Sequence, residues 1–120
     1  MSTCNLSILG LGLAYMANNY PQECPIGRTM NVIGDRWTMM ILRDFFLQGN
    51  RRFQDLQDSF MDLSPNTLSA RLKHLEKMGV LERILYEQHP PRSEYRLTKK
   101  GQDLGPVMLS VKAWGSKYKS

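Results

Sequence analysis

Hydrophobic residues at helical spacing are clearest in residues 64–79, where one apolar face lies between a start signal and a stop signal. Ser64 is a favoured N-cap residue, Pro65 suits the first helical position, and Gly79 suits the left-handed residue that ends a helix. The other sides of this helix are polar and, towards its end, basic. The apolar face recurs at intervals of four, three and three residues and consists of Leu68, Leu72, Leu75 and Met78.

Three helices are predicted before this segment. Pro25 fits the first turn of a short helix that Gly34 ends, and Asp35 is a suitable cap for the next helix. That second helix is apolar on more than one side, so it is expected at the centre of the domain. A short third helix over residues 53–60 then leads through a turn at residues 62–63 into the helix with the single apolar face.

The hydrophobic period changes after the helix with the single apolar face. Residues 80–87 and 93–98 have strand-like patterns. Residues 88–92 include two adjacent prolines, which cannot donate to a ladder, so they are predicted to form a stiff, basic hairpin tip and not strand. Thr98 then caps a last helix, in which Gly105–Pro106 predicts a kink or a broken first turn. The predicted fold is α+β and mostly α, a winged helix-turn-helix.

Length and charge narrow the class of protein. A chain of 120 residues with 42% hydrophobic residues is long enough for one globular domain with a modest core. Sixteen Lys and Arg against eleven Asp and Glu give a formal net charge of +5, which favours a polyanionic partner. Residues 71–100 hold eight basic and four acidic residues, so the surplus lies on the polar helix and the predicted hairpin.

Residues with catalytic or metal-binding chemistry are few. Cys4 and Cys24 make no disulfide framework. With only His74 and His89 beside them, the chain predicts no metal site, no cofactor and no nucleophile–base pair, so an enzyme is not expected. The apolar run over residues 6–16 is too short to span a bilayer and lacks preceding basic residues. A cytoplasmic, reducing environment without membrane attachment is therefore expected.

Several short motifs follow one another along the chain. They are residues 24–25 (CP), 33–37 (IGDRW), 41–44 (ILRD), 51–56 (RRFQDL), 64–76 (SPNTLSARLKHLE), 90–101 (PPRSEYRLTKKG) and 114–115 (WG). Each motif alone is weak, but in this order and spacing they resemble the HxlR family of bacterial winged-helix transcriptional regulators. Residues 1–23 depart from the family pattern, because they form a longer and more apolar extension, either a helix packing on a partner or a poorly ordered tail. A natural start at Met16 is a further hypothesis.

The resemblance implies a homodimer that binds a pseudo-palindromic double-stranded DNA operator. Its dimer interface would be built mainly from the N-terminal and C-terminal helices. The last helix agrees with this, because it carries more apolar surface on one side than a terminal helix of a small monomer usually covers. Two-fold symmetry would place two recognition helices about 34 Å apart, or a multiple of it. The candidate interface residues are Ile26, Met108, Val111, Trp114 and Tyr118.

The helical wheel divides the polar face of the predicted recognition helix. Base-edge contacts are expected from Asn66, Thr67, Ala70 and Arg71, and phosphate contacts from Ser64, Ser69 and Lys73. The competing interpretation is an amphipathic helix with a solvated face.

Further arginines and a lysine are candidates for contacts outside the recognition helix. Arg92 at the hairpin tip is expected to reach the minor groove or a phosphate. Arg51, Arg52 and Lys99 are candidate backbone contacts. For Arg51 and Arg52 the alternative is an ion pair with an acidic neighbour such as Asp55.

Cys24 is a candidate redox sensor. A thiol at a helix N-terminus near Arg28 lies where the thiolate is stabilised by the helix dipole and a cation. The resemblance implies a matching cysteine that senses oxidants or electrophiles in several family members. The alternative is a small, half-buried residue at the dimer interface, and Cys4 is a weaker candidate for a resolving partner.

Two other functions compete with a DNA-binding regulator. One is a winged-helix module for protein–protein contact without specific DNA binding, which the basic residues Arg71, Lys73 and Lys77 argue against. The other is a small thiol enzyme, which lacks a general base and a phosphate-binding loop. The predicted organisation is an extension over residues 1–23, a winged helix-turn-helix over residues 24–100 and a dimerisation helix over residues 101–120.

Overall fold

A computed structural model describes residues 22–88 and 91–119. The extension predicted over residues 1–23 lies almost entirely outside the described residues, as do Met16, Cys4, His89 and Pro90. The chain divides into two compact units between Thr38 and Met39. The elements are α1 (Pro25–Ile33), α2 (Thr38–Gln48), α3 (Phe53–Ser59), α4 (Pro65–Lys77), β1 (Leu81–Gln88), β2 (Pro91–Leu97), α5 (Lys99–Gln102) and α6 (Gly105–Lys117).

The described part of the first unit contains α1, with the start and the end that its sequence predicts. Pro25 lies in its first turn, where the missing N–H has no intrahelical role. Gly34 caps the other end, and its N–H donates to the Met30 carbonyl at 2.8 Å. Asp35 organises the turn that follows. Its carboxylate accepts the Trp37 N–H at 2.9 Å and the Thr38 hydroxyl at 3.1 Å, so it stabilises the turn that leads into α2.

Hydrophobic residues of α2, α3, α4, the start of β1 and the segments between them form the core of the second unit. Of the apolar face predicted for α4, Leu68, Leu72 and Leu75 are at most 1% exposed, whereas Met78 is half-buried. The short helix α3 contributes one fully buried leucine, which fits its length of seven residues. The buried core residues from this unit are Ile41, Leu42, Phe45, Leu56, Leu63, Leu68, Leu72, Leu75, Val80 and Leu81.

The prediction that α2 lies at the centre is correct for one of its faces only. Ile41, Leu42 and Phe45 are buried, but Met40 and Leu47, on other sides of the helix, are exposed. The central position is predicted from apolar residues on more than one side of the helix. It is wrong for the side that carries Leu47, because that side borders an open groove next to α6 and Leu47 is 64% exposed.

The two strands form an antiparallel hairpin. Leu81 pairs with Leu97 at its base, and Gln88 pairs with Pro91 at its tip. An irregularity between Leu85 and Glu87 shifts the register near the tip. Gln88, Pro91 and Arg92 were predicted to lie outside the strands, and this is wrong. Proline is compatible with a strand at its first residue, and Pro91 occupies that position in β2.

The C-terminal part begins with a capped turn and then breaks, as the sequence predicts. The Thr98 side chain accepts the Gly101 N–H at 3.1 Å and begins α5. This helix ends after four residues, and α6 restarts at Gly105 with Pro106 in its first turn. Lys100 lies close to the end of α4, where its ammonium donates to the Met78 carbonyl at 2.7 Å.

The predicted fold class is confirmed. The described chain is mostly helical with one two-stranded antiparallel sheet, in the order expected of a winged helix-turn-helix. None of the helices described here is both long enough and apolar enough to cross a membrane.

Candidate nucleic-acid interface

The helix α4 is capped by the residues that the sequence indicates. The Ser64 hydroxyl oxygen accepts the Thr67 N–H at 3.1 Å, and the same hydroxyl donates to the Thr67 side-chain oxygen at 2.9 Å. Gly79 follows the C-terminus with a φ of 77°, a left-handed conformation that glycine adopts without strain. Because both ends are fixed, the polar face of α4 has a defined direction.

The exposure of α4 alternates around the helix as its wheel predicts. Asn66, Ala70 and Lys73 are exposed, opposite the three buried leucines. Neither the Asn66 side chain nor the Lys73 side chain forms a hydrogen bond or an ion pair within the described chain. The flanks are half-buried and carry Thr67, Ser69, Arg71 and His74. The residues predicted to contact bases and phosphates therefore share one accessible surface, with Arg71 at its edge.

Arg51 connects three elements of the second unit. Its guanidinium donates to the Asp44 carboxylate of α2 at 2.7 Å, and in α3 to the Ser59 hydroxyl at 3.0 Å and the Asp55 carbonyl at 3.3 Å. Its backbone forms a bridge with Tyr95 of β2, with hydrogen bonds of 3.0 and 2.7 Å. The Arg51 side chain is 20% exposed. A phosphate contact for Arg51 stays a prediction, and most of its donors already have intramolecular partners.

Arg52 lies on the surface and begins α3. Its N–H donates to the Asp55 carboxylate at 2.9 Å, and this hydrogen bond is the main reason that the pKa of Asp55 is lowered. The predicted ion pair with Asp55 is present at 3.3 Å, although the Arg52 side chain is 53% exposed. A hydrogen bond to the Tyr86 hydroxyl of β1 at 3.5 Å contributes most to the raised pKa of Arg52. Pattern reasoning counted Tyr86 only as an apolar strand residue.

Arg92 lies near the end of the hairpin with an exposed side chain. Its guanidinium is 3.5 Å from the Glu87 carboxylate of the neighbouring strand, a loose pair on the surface. Arg52 and Arg92 line one open depression between α3 and the hairpin, of about 440 Å³. Lys99, the other candidate backbone contact, pairs with Asp103 at 2.8 Å and is highly exposed.

The residues predicted for a dimer interface are accessible in the single chain. α6 contains no buried residue, and Trp114 packs on Tyr118 with ring centroids 5.2 Å apart. Met108 is half-buried. The exposed members are Ile26, Val111, Trp114 and Tyr118.

Cys24 is the N-cap residue of α1, as the sequence indicates. It is 2% exposed, and its carbonyl accepts the Arg28 N–H at 2.8 Å. The Arg28 guanidinium donates to the Gln22 carbonyl at 2.7 Å. Cys24 is disulfide-bonded. Cys24 is buried and disulfide-bonded, whereas the sequence suggests either a reactive thiol or a half-buried residue.

The described residues contain no cluster of three potential metal ligands among their His, Cys, Asp and Glu side chains. The surface of α4 and the hairpin carries polar and cationic side chains, among them Asn66, Lys73 and Arg92. Such a surface binds a polyanion through charge-assisted hydrogen bonds.

Comparison with known proteins relates this chain to a family of regulators. The model of the HxlR-like helix-turn-helix family matches residues 32–120. The HTH-type transcriptional regulator YdeP of Bacillus subtilis (strain 168) is 36% identical over 109 residues, which are 91% of this chain and 84% of YdeP. A protein of Mycobacterium tuberculosis (strain CDC 1551 / Oshkosh) that is also named an HTH-type transcriptional regulator is 40% identical over 93 residues, which are 78% of this chain and 58% of that protein.

Two solved structures are similar in both fold and sequence. The redox regulator HypR in its oxidised form has a TM-score of 0.73 and 32% identity, over 81% of this chain and 99% of HypR. The reduced form of the transcriptional regulator YodB from B. subtilis has a TM-score of 0.69 and 29% identity, over 79% of this chain and 93% of YodB. Both alignments span most of the described residues.

Proposed function

We propose a function on one premise, that the chain belongs to the family of HxlR-like helix-turn-helix transcriptional regulators. It binds a pseudo-palindromic DNA operator as a homodimer, with one α4 from each subunit in successive major grooves. Its affinity for that operator responds to oxidants or electrophiles through Cys24. The expected location of this activity is the cytoplasm.

The polar face of α4 carries the proposal. Asn66 and Lys73 are exposed and have no partner within the described chain, while the leucines on the opposite side fix the helix in the core. A helix of 13 residues held by one face can enter a major groove with its N-terminal half. Polar groups without an intramolecular partner favour binding, because a group that is already paired would have to lose its partner first.

Within this face we assign different roles to short and long side chains. Asn66, Thr67, Ala70 and Arg71 contact base edges, and Ser64, Ser69 and Lys73 contact phosphates. Arg52 and Arg92 add phosphate or minor-groove contacts beside the helix, since both are exposed and only loosely paired. Arg51 is the weaker candidate for such a contact because its guanidinium is held inside the chain.

The test compares Lys73→Ala with Arg71→Ala on an operator selected from random DNA by the purified protein. Loss of a phosphate contact weakens binding to all sequences, so Lys73→Ala should lower the slope of log K against log salt by about one. Arg71→Ala should instead reduce discrimination at one base pair, by about 1–3 kcal/mol. Lys117→Ala, a charge change on α6, is the control and should leave the specificity unchanged.

Two results would contradict these roles. Equal loss of affinity for operator and random DNA in Arg71→Ala would remove the base-reading role of Arg71. If the wild-type protein selects no sequence and its affinity for DNA does not depend on salt, the chain acts by protein–protein contact, and the proposal fails.

The exposed face of α6 supports the homodimer. A contiguous patch that includes Trp114 and Tyr118 is unusual for a small monomeric protein, and a second subunit would bury it. Trp114→Glu should produce a monomer in analytical ultracentrifugation and lose affinity for the two-half-site operator. Ser116→Glu introduces the same charge on another side of α6 and should stay dimeric. A dimeric Trp114→Glu protein would place the interface elsewhere.

The position of Cys24 supports redox control, as does the similarity to regulators named for redox states. In the proposed step two thiols form one disulfide, and their two protons and two electrons pass to an oxidant such as diamide, which becomes a hydrazine. Operator affinity is measured after treatment with dithiothreitol or with diamide. Cys24→Ser should abolish the difference, whereas Cys4→Ser tests whether Cys4 supplies the second thiol. An unchanged response in Cys24→Ser refutes redox control through this residue.

A further inference from the structure

A groove of about 640 Å³ lies between α2 and α6 in the second unit. Its volume falls in the range typical of small-molecule sites, about 300–1,000 Å³. Most of its lining is apolar and comes from one side of each helix. The lining residues are Arg43, Phe46, Leu47, Gly105, Pro106, Met108, Leu109 and Lys112.

Apart from Met108, which is also a candidate interface residue, the groove uses a different side of α6 from the proposed dimer interface. Gly105, Met108, Leu109 and Lys112 recur at helical spacing and therefore share one side. Val107, Val111, Trp114 and Tyr118 share another side. At 3.6 residues per turn, the mean directions of the two sets differ by about 140°. A second subunit on the Trp114 side therefore need not cover the groove.

The groove also uses a different side of α2 from the core. Ile41, Leu42 and Phe45 point into the core, whereas Arg43, Phe46 and Leu47 are the groove residues. At one end the Phe46 ring approaches Gly105, where a Cβ atom would be 3.5 Å from the ring. Both residues line the groove, and Leu47, which is 64% exposed, leaves part of its apolar wall open to solvent.

Two cations flank this apolar lining. Arg43 and Lys112 are both exposed, and neither side chain forms an ion pair or a hydrogen bond within the described chain. The lining contains no acidic residue. A guanidinium and an ammonium next to aromatic and aliphatic side chains complement a molecule with an anionic head and an apolar body. A cation would be repelled, and a neutral polar molecule would find few hydrogen-bond partners.

We infer that the groove between α2 and α6 binds a small amphipathic anion, an aromatic or aliphatic carboxylate. The carboxylate pairs with Arg43 and Lys112, and the apolar body packs between Phe46, Met108 and Leu109. Because such a ligand contacts both helices, its binding favours the separation of the helices at which both sets of contacts form. If α6 also carries the dimer interface, as we propose above, the ligand changes the spacing of the two recognition helices. This consequence rests on the proposed function, and the binding itself does not.

The experiment titrates the full-length protein with 2-naphthoate and, as a matched uncharged probe, 2-naphthamide, by isothermal titration calorimetry. The expected Kd for 2-naphthoate is about 1 mM or tighter, the range reached by ligands of this size. 2-Naphthamide should bind about tenfold more weakly. Arg43→Gln and Lys112→Gln should each weaken 2-naphthoate binding about fivefold without changing the melting temperature. Lys117→Gln, on the same helix but outside the groove lining, should bind like the wild type.

The inference is overturned if 2-naphthoate and 2-naphthamide bind with equal affinity, or if both groove variants bind 2-naphthoate like the wild type. It is also overturned if the wild-type protein does not bind 2-naphthoate at about 5 mM. An affinity that falls as the protein concentration rises would assign the groove to a second copy of the chain, which also overturns it. Operator binding without ligand is measured on the same samples. Intact operator binding with no 2-naphthoate binding refutes the groove and leaves the proposed function standing.

Discussion

Replacement of Arg51 by alanine is expected to destabilise the protein far more than replacement of its neighbour Arg52. The Arg51 guanidinium is 2.7 Å from the Asp44 carboxylate, and the two side chains are only 20% and 15% exposed. Its other side-chain hydrogen bonds reach Ser59 and the carbonyl of Asp55. Arg52 differs in that its side chain is 53% exposed and its main structural role is played by its backbone N–H, which alanine retains.

The expected size follows from these contacts. A hydrogen bond to a charged group is worth about 1.5–3 kcal/mol. Loss of one partner of a buried pair costs about 3–5 kcal/mol. Because the Arg51–Asp44 pair is mostly but not fully buried, the expected loss for Arg51→Ala is about 2–4 kcal/mol. With a urea m-value of about 2 kcal/mol/M, the midpoint should fall by about 1–2 M.

The assay is urea unfolding at one fixed protein concentration, because a dimer interface would make the midpoint depend on concentration. Arg51→Lys keeps the charge but not the planar fork and should lie between wild type and Arg51→Ala. A double-mutant cycle with Asp44→Ala isolates the pair, with an expected coupling of about 1–3 kcal/mol. If Arg51→Ala and Arg52→Ala have the same midpoint, or the coupling is zero, the structural role of Arg51 is refuted.

Three further predictions concern single contacts. The Arg52 N–H lowers the pKa of Asp55, so this carboxylate stabilises the fold above its unfolded pKa and the contribution is lost as the pH falls through the folded pKa; Asp55→Asn should flatten the decline of stability measured by urea unfolding between about pH 5 and pH 2. A Cβ at Gly101 would overlap the Val80 carbonyl oxygen, so Gly101→Ala should lower the melting temperature by at least about 5 °C, and an unchanged value would contradict the close approach. Ser64→Ala should cost about 1 kcal/mol in urea unfolding because the Thr67 N–H loses its acceptor, and Ser64→Asp should restore most of it.

Local signals explain why α4 could be predicted from the sequence. Its N-cap, its first-turn proline, its leucine spacing and its terminal glycine all lie within residues 64–79, and each acts on neighbours at most four residues away. The direction of its polar face follows from the buried leucines without any knowledge of the rest of the chain. The contact of that face with DNA stays a prediction, because it depends on a partner molecule.

The hairpin tip shows that the exclusion of proline from strands depends on where the proline lies in the strand. Proline lacks an N–H, and this excludes it from the interior of a paired strand. Pro91 is the first residue of β2 and pairs with Gln88 at the end of the register, so the rule does not exclude it there. The register that decides this is set by pairs along the whole hairpin, beginning at Leu81 and Leu97, and no window around the prolines contains it.

The different roles of Arg51 and Arg52 could not be read from the sequence, since two identical adjacent residues give the same pattern. The difference comes from partners at other distances along the chain. Arg51 meets Asp44, seven residues earlier, and the backbone of Tyr95 in the second strand. Sequence reasoning considered Asp55 as the acidic partner, and the structure gives its carboxylate to Arg52 and only its carbonyl to Arg51.

For whole helices too, the partner of an apolar face could not be predicted from the sequence, as the exposed apolar sides of α2 and α6 show. A helix that is apolar on several sides predicts burial on all of them, but the pattern does not say which surface of the molecule covers each side. In α2 the core takes Ile41 and Phe45, and the side with Leu47 remains open beside α6. In α6 no side is buried, so its apolar residues are available to two different occupants. A second subunit on the Trp114 side and an amphipathic anion on the Leu109 side would together account for the exposed apolar surface of α6.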